Sequence, residues 1–163
     1  MLPKEFIKIT FLKQYRQVAY KYHYISFMLI GIGIEFLGKC LDDKKSWQQS
    51  GFSKIHFNRA INELMPKYIS YNNKYNLHDS LRNGMAHALL PKYKIGLTNR
   101  QEAKHFDNKH LDIKNGELIL VAEDLYDDFR KACNTILDSD FKQNSKMNTD
   151  ALSVPQDFNL LLI

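Results

Sequence analysis

Apolar residues recur at helical spacing along most of this chain. Phe11, Tyr15, Val18 and Tyr22 share one face of a helix expected over residues 3–22, and Lys4, Lys8, Lys13 and Arg16 take its other faces. Residues 24–41 are apolar on most sides, which predicts the central, most buried helix. Gly31, Gly33 and Gly38 in it would let a neighbour approach closely, at some cost in helix propensity. The segment DDKKSWQQSG reads as a loop. A third helix is expected over 53–71, with a stripe of Phe57, Ile61, Leu64 and Tyr68 and a kink at Pro66. A fourth is expected over 73–89, with Leu77, Leu81, Met85 and Ala88 facing the core.

The period then changes. Tyr93, Ile95 and Leu97 alternate with Lys94 and Gly96, as in a short strand. HLDIKNGELILV carries a hairpin signal, with Asn115-Gly116 suited to a type I′ turn. A last helix is expected over 122–138, apolar through Leu125, Phe129, Ala132, Cys133 and Ile136. Glu123, Asp124, Asp127 and Asp128 in its first turns suit the positive end of its dipole. The expected fold is mainly α: a helical bundle with a small antiparallel sheet inserted at about 92–121, before the last helix. Residues 1–140 form one domain, and 141–163 a polar tail with an apolar end, DFNLLLI, that either docks or stays loose.

Charge alters this picture in one respect. The net charge of +5 is unevenly spread, with 16 Lys and Arg against 6 Asp and Glu over residues 1–100, and 7 against 12 over 101–163. A basic N-terminal part suits a polyanion such as RNA, although lysines also simply solvate helix faces. The two cysteines, Cys40 and Cys133, lack metal-ligand spacing and fit reduced core residues of a cytoplasmic protein. No secretory signal is evident. Glu35 interrupts the most apolar run, 25–38, so no membrane span is expected.

Candidate chemistry lies in LRNGMAH, residues 81–87. On a regular helix Arg82 and His87 point about 140° apart, flanking the Leu81/Met85 stripe, whereas Asn83 and His87 share a face. Three things could bring Arg82 and His87 to one target: a distortion near Gly84, the reach of arginine, or a second copy of the helix across a two-fold interface. Both residues also suit a plain helix C-terminus, where cations meet the last carbonyls.

Arg82, the polar Asn83 directly after it and His87, late in a helix of a small bundle, resemble the HEPN superfamily (higher eukaryotes and prokaryotes nucleotide-binding domain). The motif of that superfamily is Arg, four to six residues, then His, commonly with Asn, Asp or His after the Arg. The resemblance covers about residues 5–138 in general form. It implies a metal-independent endoribonuclease, often a toxin or part of a defence system, acting as a homodimer whose two motifs meet in a cleft. His87 is then the general acid/base that helps a ribose 2′-hydroxyl attack the adjacent phosphate, Arg82 holds that phosphate, and Asn83 orients one or the other. No cofactor or metal is implied, RNA is the expected partner, and any antitoxin is a separate protein. HEPN-like domains that have lost activity bind RNA, nucleotides or proteins, and that is the alternative function.

Other residues admit two readings each. Glu35 either positions Arg82 or lies on a wet face of its helix; Arg82 and Lys39 are the available partners. His105, Asp107 and His110 suggest metal by type, but their setting, NRQEAKHFDNKH, reads as a solvated loop. His23 and His56 fall at the core edge. Trp47 either stacks on a base or covers the core.

Overall fold

The apolar run at 25–38 becomes the axis of the molecule. In a computed structural model, which describes residues 1–44, 47, 49–139 and 147, it lies inside α3 (His23–Leu41). Around it run α1 (Pro3–Phe6), a π-helical stretch Ile7–Gln14, α2 (Tyr15–Lys21), α4 (Ser53–Leu64), a 3-10 turn Pro66–Tyr68 and α5 (Ile69–Tyr75). A second π-helical stretch, His78–Gly84, continues into α6 (Met85–Ala88). The chain then forms β1 (Ile95–Thr98), α7 (Arg100–His105), β2 (Ile113–Lys114), β3 (Glu117–Val121) and α8 (Ala122–Asp138). The fold is mainly α with a small three-stranded sheet, as the patterning predicts.

α3 packs against α2, α4, α8 and the second π stretch. Phe27, Ile30, Ile34 and Leu37 are buried on its inner side, facing a core that includes Phe11, Phe57, Ile61, Leu81, Leu125 and Phe129. Two of its glycines set distances. A Cβ on Gly38 would overlap the carbonyl of His56 in α4, and one on Gly31 would sit 3.1 Å from the Arg82 nitrogen and the Leu81 carbonyl carbon. Gly31 therefore brings the motif segment against the central helix. Glu35 does not shorten α3: the helix has the length and mean hydropathy (1.6) of a membrane span, but half of its most apolar window is buried inside this bundle.

The last helix matches its expected bounds, and Pro66 breaks the third as expected. The fourth is not continuous. α5 ends at Asn76, whose φ of 47° is left-handed, a conformation asparagine tolerates better than most residues. Its side-chain amide donates to Asp79 Oδ2 at 2.5 Å, so the break is tied to the helix that follows. Ala88, expected in the core stripe, is exposed, while Leu77, Leu81 and Met85 are buried.

The β2–β3 hairpin turns at Asn115-Gly116, with φ of 52° and 79°, as a type I′ turn requires. The antiparallel expectation stops there, because β1 joins the edge of β3 in parallel, from Ile95↔Leu118 to Thr98↔Val121. Parallel pairing needs a long crossover, and α7 supplies it. The segment read as a loop is in part this helix: Asn99 caps it by accepting the Glu102 N–H at 3.0 Å. Trp47 stacks on Phe36, ring centroids 5.3 Å apart, and covers the core. Of the expected tail only Met147 is described, and it is buried; the DFNLLLI end lies outside the described residues.

Candidate functional site

LRNGMAH straddles the junction of two helix types. Arg82, Asn83 and Gly84 close the π stretch, and His87 lies in α6. In π geometry the backbone bonds run i→i+5, and such turns are frequent at functional sites; here the stretch includes Arg82 and stops short of His87. The distortion considered near Gly84 is therefore present. Gly84 itself is needed for a close approach: a Cβ there would sit 2.6 Å from the Leu90 oxygen and 3.0 Å from the Lys92 nitrogen, where the chain doubles back after Leu89 (φ 54°).

The polar residues form a closed ring. Arg82 Nε donates to Glu35 Oε2 at 2.5 Å and Nη1 to Asn83 Oδ1 at 3.1 Å. Asn83 Nδ2 donates to Asp79 Oδ1 at 3.1 Å, and His78 Nδ1 lies 2.9 Å from the same oxygen. His78 Nε2 is 2.9 Å from Ser53 Oγ, which donates to Glu35 Oε2 at 2.6 Å and completes the circuit. Glu35 thus contacts both Arg82 and Ser53 while 20% of its side-chain surface stays open. Burial alone would raise the Asp79 carboxyl, but the hydrogen bonds from His78 and Asn76 outweigh it and hold the group below its usual range. Lys54 adds a cation 3.6 Å away.

Proton accounting constrains this ring. The three contacts Glu35–Ser53, Ser53–His78 and His78–Asp79 each need a proton between the heavy atoms. Serine brings one and neutral imidazole one, so satisfying all three requires a third. His78, Asp79 and Ser53 carry no sequence motif of their own. Only a fold that sets the start of α4 beside the second π stretch reveals them.

The structure brings Arg82, Asn83 and Glu35 together and leaves His87 apart. His87 is exposed on the last turn and has no hydrogen-bond or ion-pair partner among the described residues. Arg82 keeps 27% of its side-chain surface open. The end of α6 is pinned by the Tyr24 hydroxyl, which donates to the Leu89 oxygen at 2.6 Å. Exposed apolar side chains surround it: Leu89, Leu90 and Tyr93, with Ile25 and Ile32 along the outer side of α3.

His23, His56 and His110 are structural anchors, whereas His105 is exposed on α7. His56 is buried and pairs with Asp42 at 3.1 Å. Burial pulls Asp42 upward, but the hydrogen bond from His56 and that from the Lys44 amide hold it below its usual range. His23 meets the buried Glu123 at 3.2 Å. His110 is not solvated, contrary to the loop reading. Its Nδ1 accepts the Val121 N–H at 3.0 Å, which fixes the proton on Nε2, 2.7 Å from the Tyr68 hydroxyl; that hydroxyl donates to Asp128 at 2.7 Å. Burial pushes His110 down to about 4, against the pull of Asp128. Both cysteines are buried thiols outside any disulfide, and burial pushes the Cys133 thiol up. Among the described residues no three His, Cys, Asp or Glu side chains gather as a metal site would require. In comparisons with known proteins the chain matches no family model, no curated protein and no solved structure.

Proposed function

We propose that this protein is a metal-independent endoribonuclease of HEPN type, with Arg82 and His87 as its working pair. One observation carries the reading. Arg82 is held from behind by Glu35 and Asn83 yet stays partly open, in a distorted helix whose next turn presents an exposed histidine. A guanidinium anchored through Nε and Nη1 is pre-oriented, so its remaining N–H groups can meet a phosphate without first losing rotamer freedom. The uneven charge supports a polyanionic substrate, since residues 1–100 carry the basic excess.

In this reading His87 takes the proton of a ribose 2′-hydroxyl as that oxygen attacks the adjacent phosphorus. Arg82 stabilises the charge that develops on the phosphoryl oxygens. The P–O5′ bond breaks, the 5′-oxygen takes up a proton, and a 2′,3′-cyclic phosphate remains. One imidazole cannot both accept and donate in a single step, so a second copy supplying the other histidine fits the chemistry. The exposed Ile25, Ile32, Leu89 and Leu90 beside the motif suit such a two-fold contact. The test is incubation of the purified protein with a mixed RNA pool in EDTA. Cleavage is expected from the wild type and not from folded Arg82→Ala or His87→Ala. One observation favours the alternative, a non-catalytic RNA-, nucleotide- or protein-binding module: two of the Arg82 nitrogens are already committed within the chain. Retarded but uncut RNA would select it.

A further inference from the structure

A cleft of about 430 Å³ opens between the start of α3 and the corner where β1 meets α7. That is within the range of small-ligand sites, roughly 300–1,000 Å³. Buried Phe27 and half-buried Leu97 line its inner part. Tyr22 and Tyr24 also line it and remain 57% and 44% exposed, a large aromatic area left in water. Its polar side is Asn99 and Glu102. Asn99 Oδ1 is used in capping α7, which leaves the Nδ2 donor. Glu102 Oε2 accepts from the Thr98 hydroxyl at 3.2 Å, and a carboxylate retains several further acceptor positions. His23, also in the wall, has its Nε2 engaged by Glu123 at 3.2 Å and does not compete for a ligand.

We propose that this cleft is a guanine-binding subsite that takes one base of a single-stranded RNA. Aromatic walls accept any base by stacking, so the choice falls to the polar side. The Watson–Crick edge of guanine presents two adjacent donors, N1–H and the N2 amino group, beside the O6 acceptor. The Glu102 carboxylate takes both donors, and Asn99 Nδ2 donates to O6. Adenine and cytosine turn a ring-nitrogen acceptor towards the carboxylate, and uracil offers a single N–H. The cleft adjoins the motif, because Tyr24 lines it and also bonds the Leu89 oxygen at the end of α6, two residues past His87. The choice of RNA as the source of the base rests on the ribonuclease reading, under which the subsite directs cutting to a bond next to guanine.

The test is titration of the protein with the four nucleoside 3′-monophosphates, in EDTA, followed by its NMR chemical shifts. The guanosine nucleotide is expected to bind at least tenfold tighter than the other three and to shift the resonances of Tyr22, Tyr24 and Glu102. Glu102→Gln removes that preference while weak binding of all four persists. Tyr22→Ala weakens all four by roughly tenfold, and Tyr22→Phe, which keeps the ring, does not. Equal binding of the four nucleotides, no shift at the cleft, or a guanine preference that survives Glu102→Gln overturns the proposal. The two ideas fail separately: guanine binding without RNA cleavage sinks the ribonuclease and spares the subsite, and cleavage without guanine binding does the reverse.

Discussion

Replacing Gly31 by alanine tests whether the close approach of α3 to the motif segment governs the site. The new Cβ would stand 3.1 Å from the Arg82 nitrogen and the Leu81 carbonyl carbon, and 3.3 Å from the Arg82 Cα. Ordinary contact begins near 3.5 Å, so the two segments must part by about 0.4 Å. Both neighbours are backbone, and no side chain can swing aside. Overpacking of this kind costs about 1–3 kcal/mol, and the helix propensity gained over glycine returns about 1 kcal/mol. The net loss is then about 0–2 kcal/mol, or a fall in Tm of up to roughly 8 °C for a chain of this size. The same displacement acts on the Arg82–Glu35 contact of 2.5 Å, so under the proposed ribonuclease activity RNA cleavage is expected to fall by about tenfold, more than the lost stability explains. Gly38→Ala is the internal control: its Cβ would overlap the His56 carbonyl, and the loss there exceeds about 3 kcal/mol. Thermal melts and single-turnover cleavage of both variants read these effects. A Gly31→Ala protein with wild-type cleavage would refute the claim that this helix contact sets the position of Arg82.

Two further predictions concern the anchors. His110 is pushed down to about 4 in the folded chain against 6.5 unfolded. Between those values the unfolded chain binds the extra proton and the folded one does not, so stability falls as pH drops from about 6.5 towards 4, by at most roughly 3 kcal/mol. Melts at pH 7 and pH 4.5 should therefore converge in His110→Asn, and an unchanged pH dependence in that variant counts against the buried neutral histidine. His56→Ala takes one partner from the buried Asp42 carboxylate, which keeps the Lys44 amide and Arg59, so the variant should lose about 2 kcal/mol in urea unfolding. A loss below about 1 kcal/mol would mean that the pair is solvated.

Much of the fold was legible where side-chain periodicity alone decides it. α8 and α3 follow their apolar stripes, and the hairpin follows Asn115-Gly116, whose two positive φ angles few other pairs accept. Periodicity failed at the backbone. The π stretches at 7–14 and 78–84 keep helical side-chain patterns while changing the bonding beneath them, and Asn76 ends a helix through a conformation that hydropathy does not register. α7 was missed although Asn99 followed by Glu102 is a capping signal, because polar composition outweighed it. At the site, Glu35 was legible because a carboxylate in an apolar helix needs a partner. Ser53, His78 and Asp79 were not, since their meeting depends on how two distant segments pack. His110 misled for the same reason: its partners, Tyr68 and Asp128, lie far away in sequence.

The central claim is that Arg82 and His87 cut RNA through the 2′-hydroxyl without a metal. Its most direct test uses an RNA oligonucleotide that the protein cuts at one bond, alongside the same oligonucleotide with a single 2′-deoxy sugar on the 5′ side of that bond, both in EDTA. The account predicts a 2′,3′-cyclic phosphate and a 5′-hydroxyl from the first and no cut in the second. It also predicts no cut in either by Arg82→Ala or His87→Ala. Cleavage of the deoxy-substituted bond, or a 3′-hydroxyl product, would contradict it.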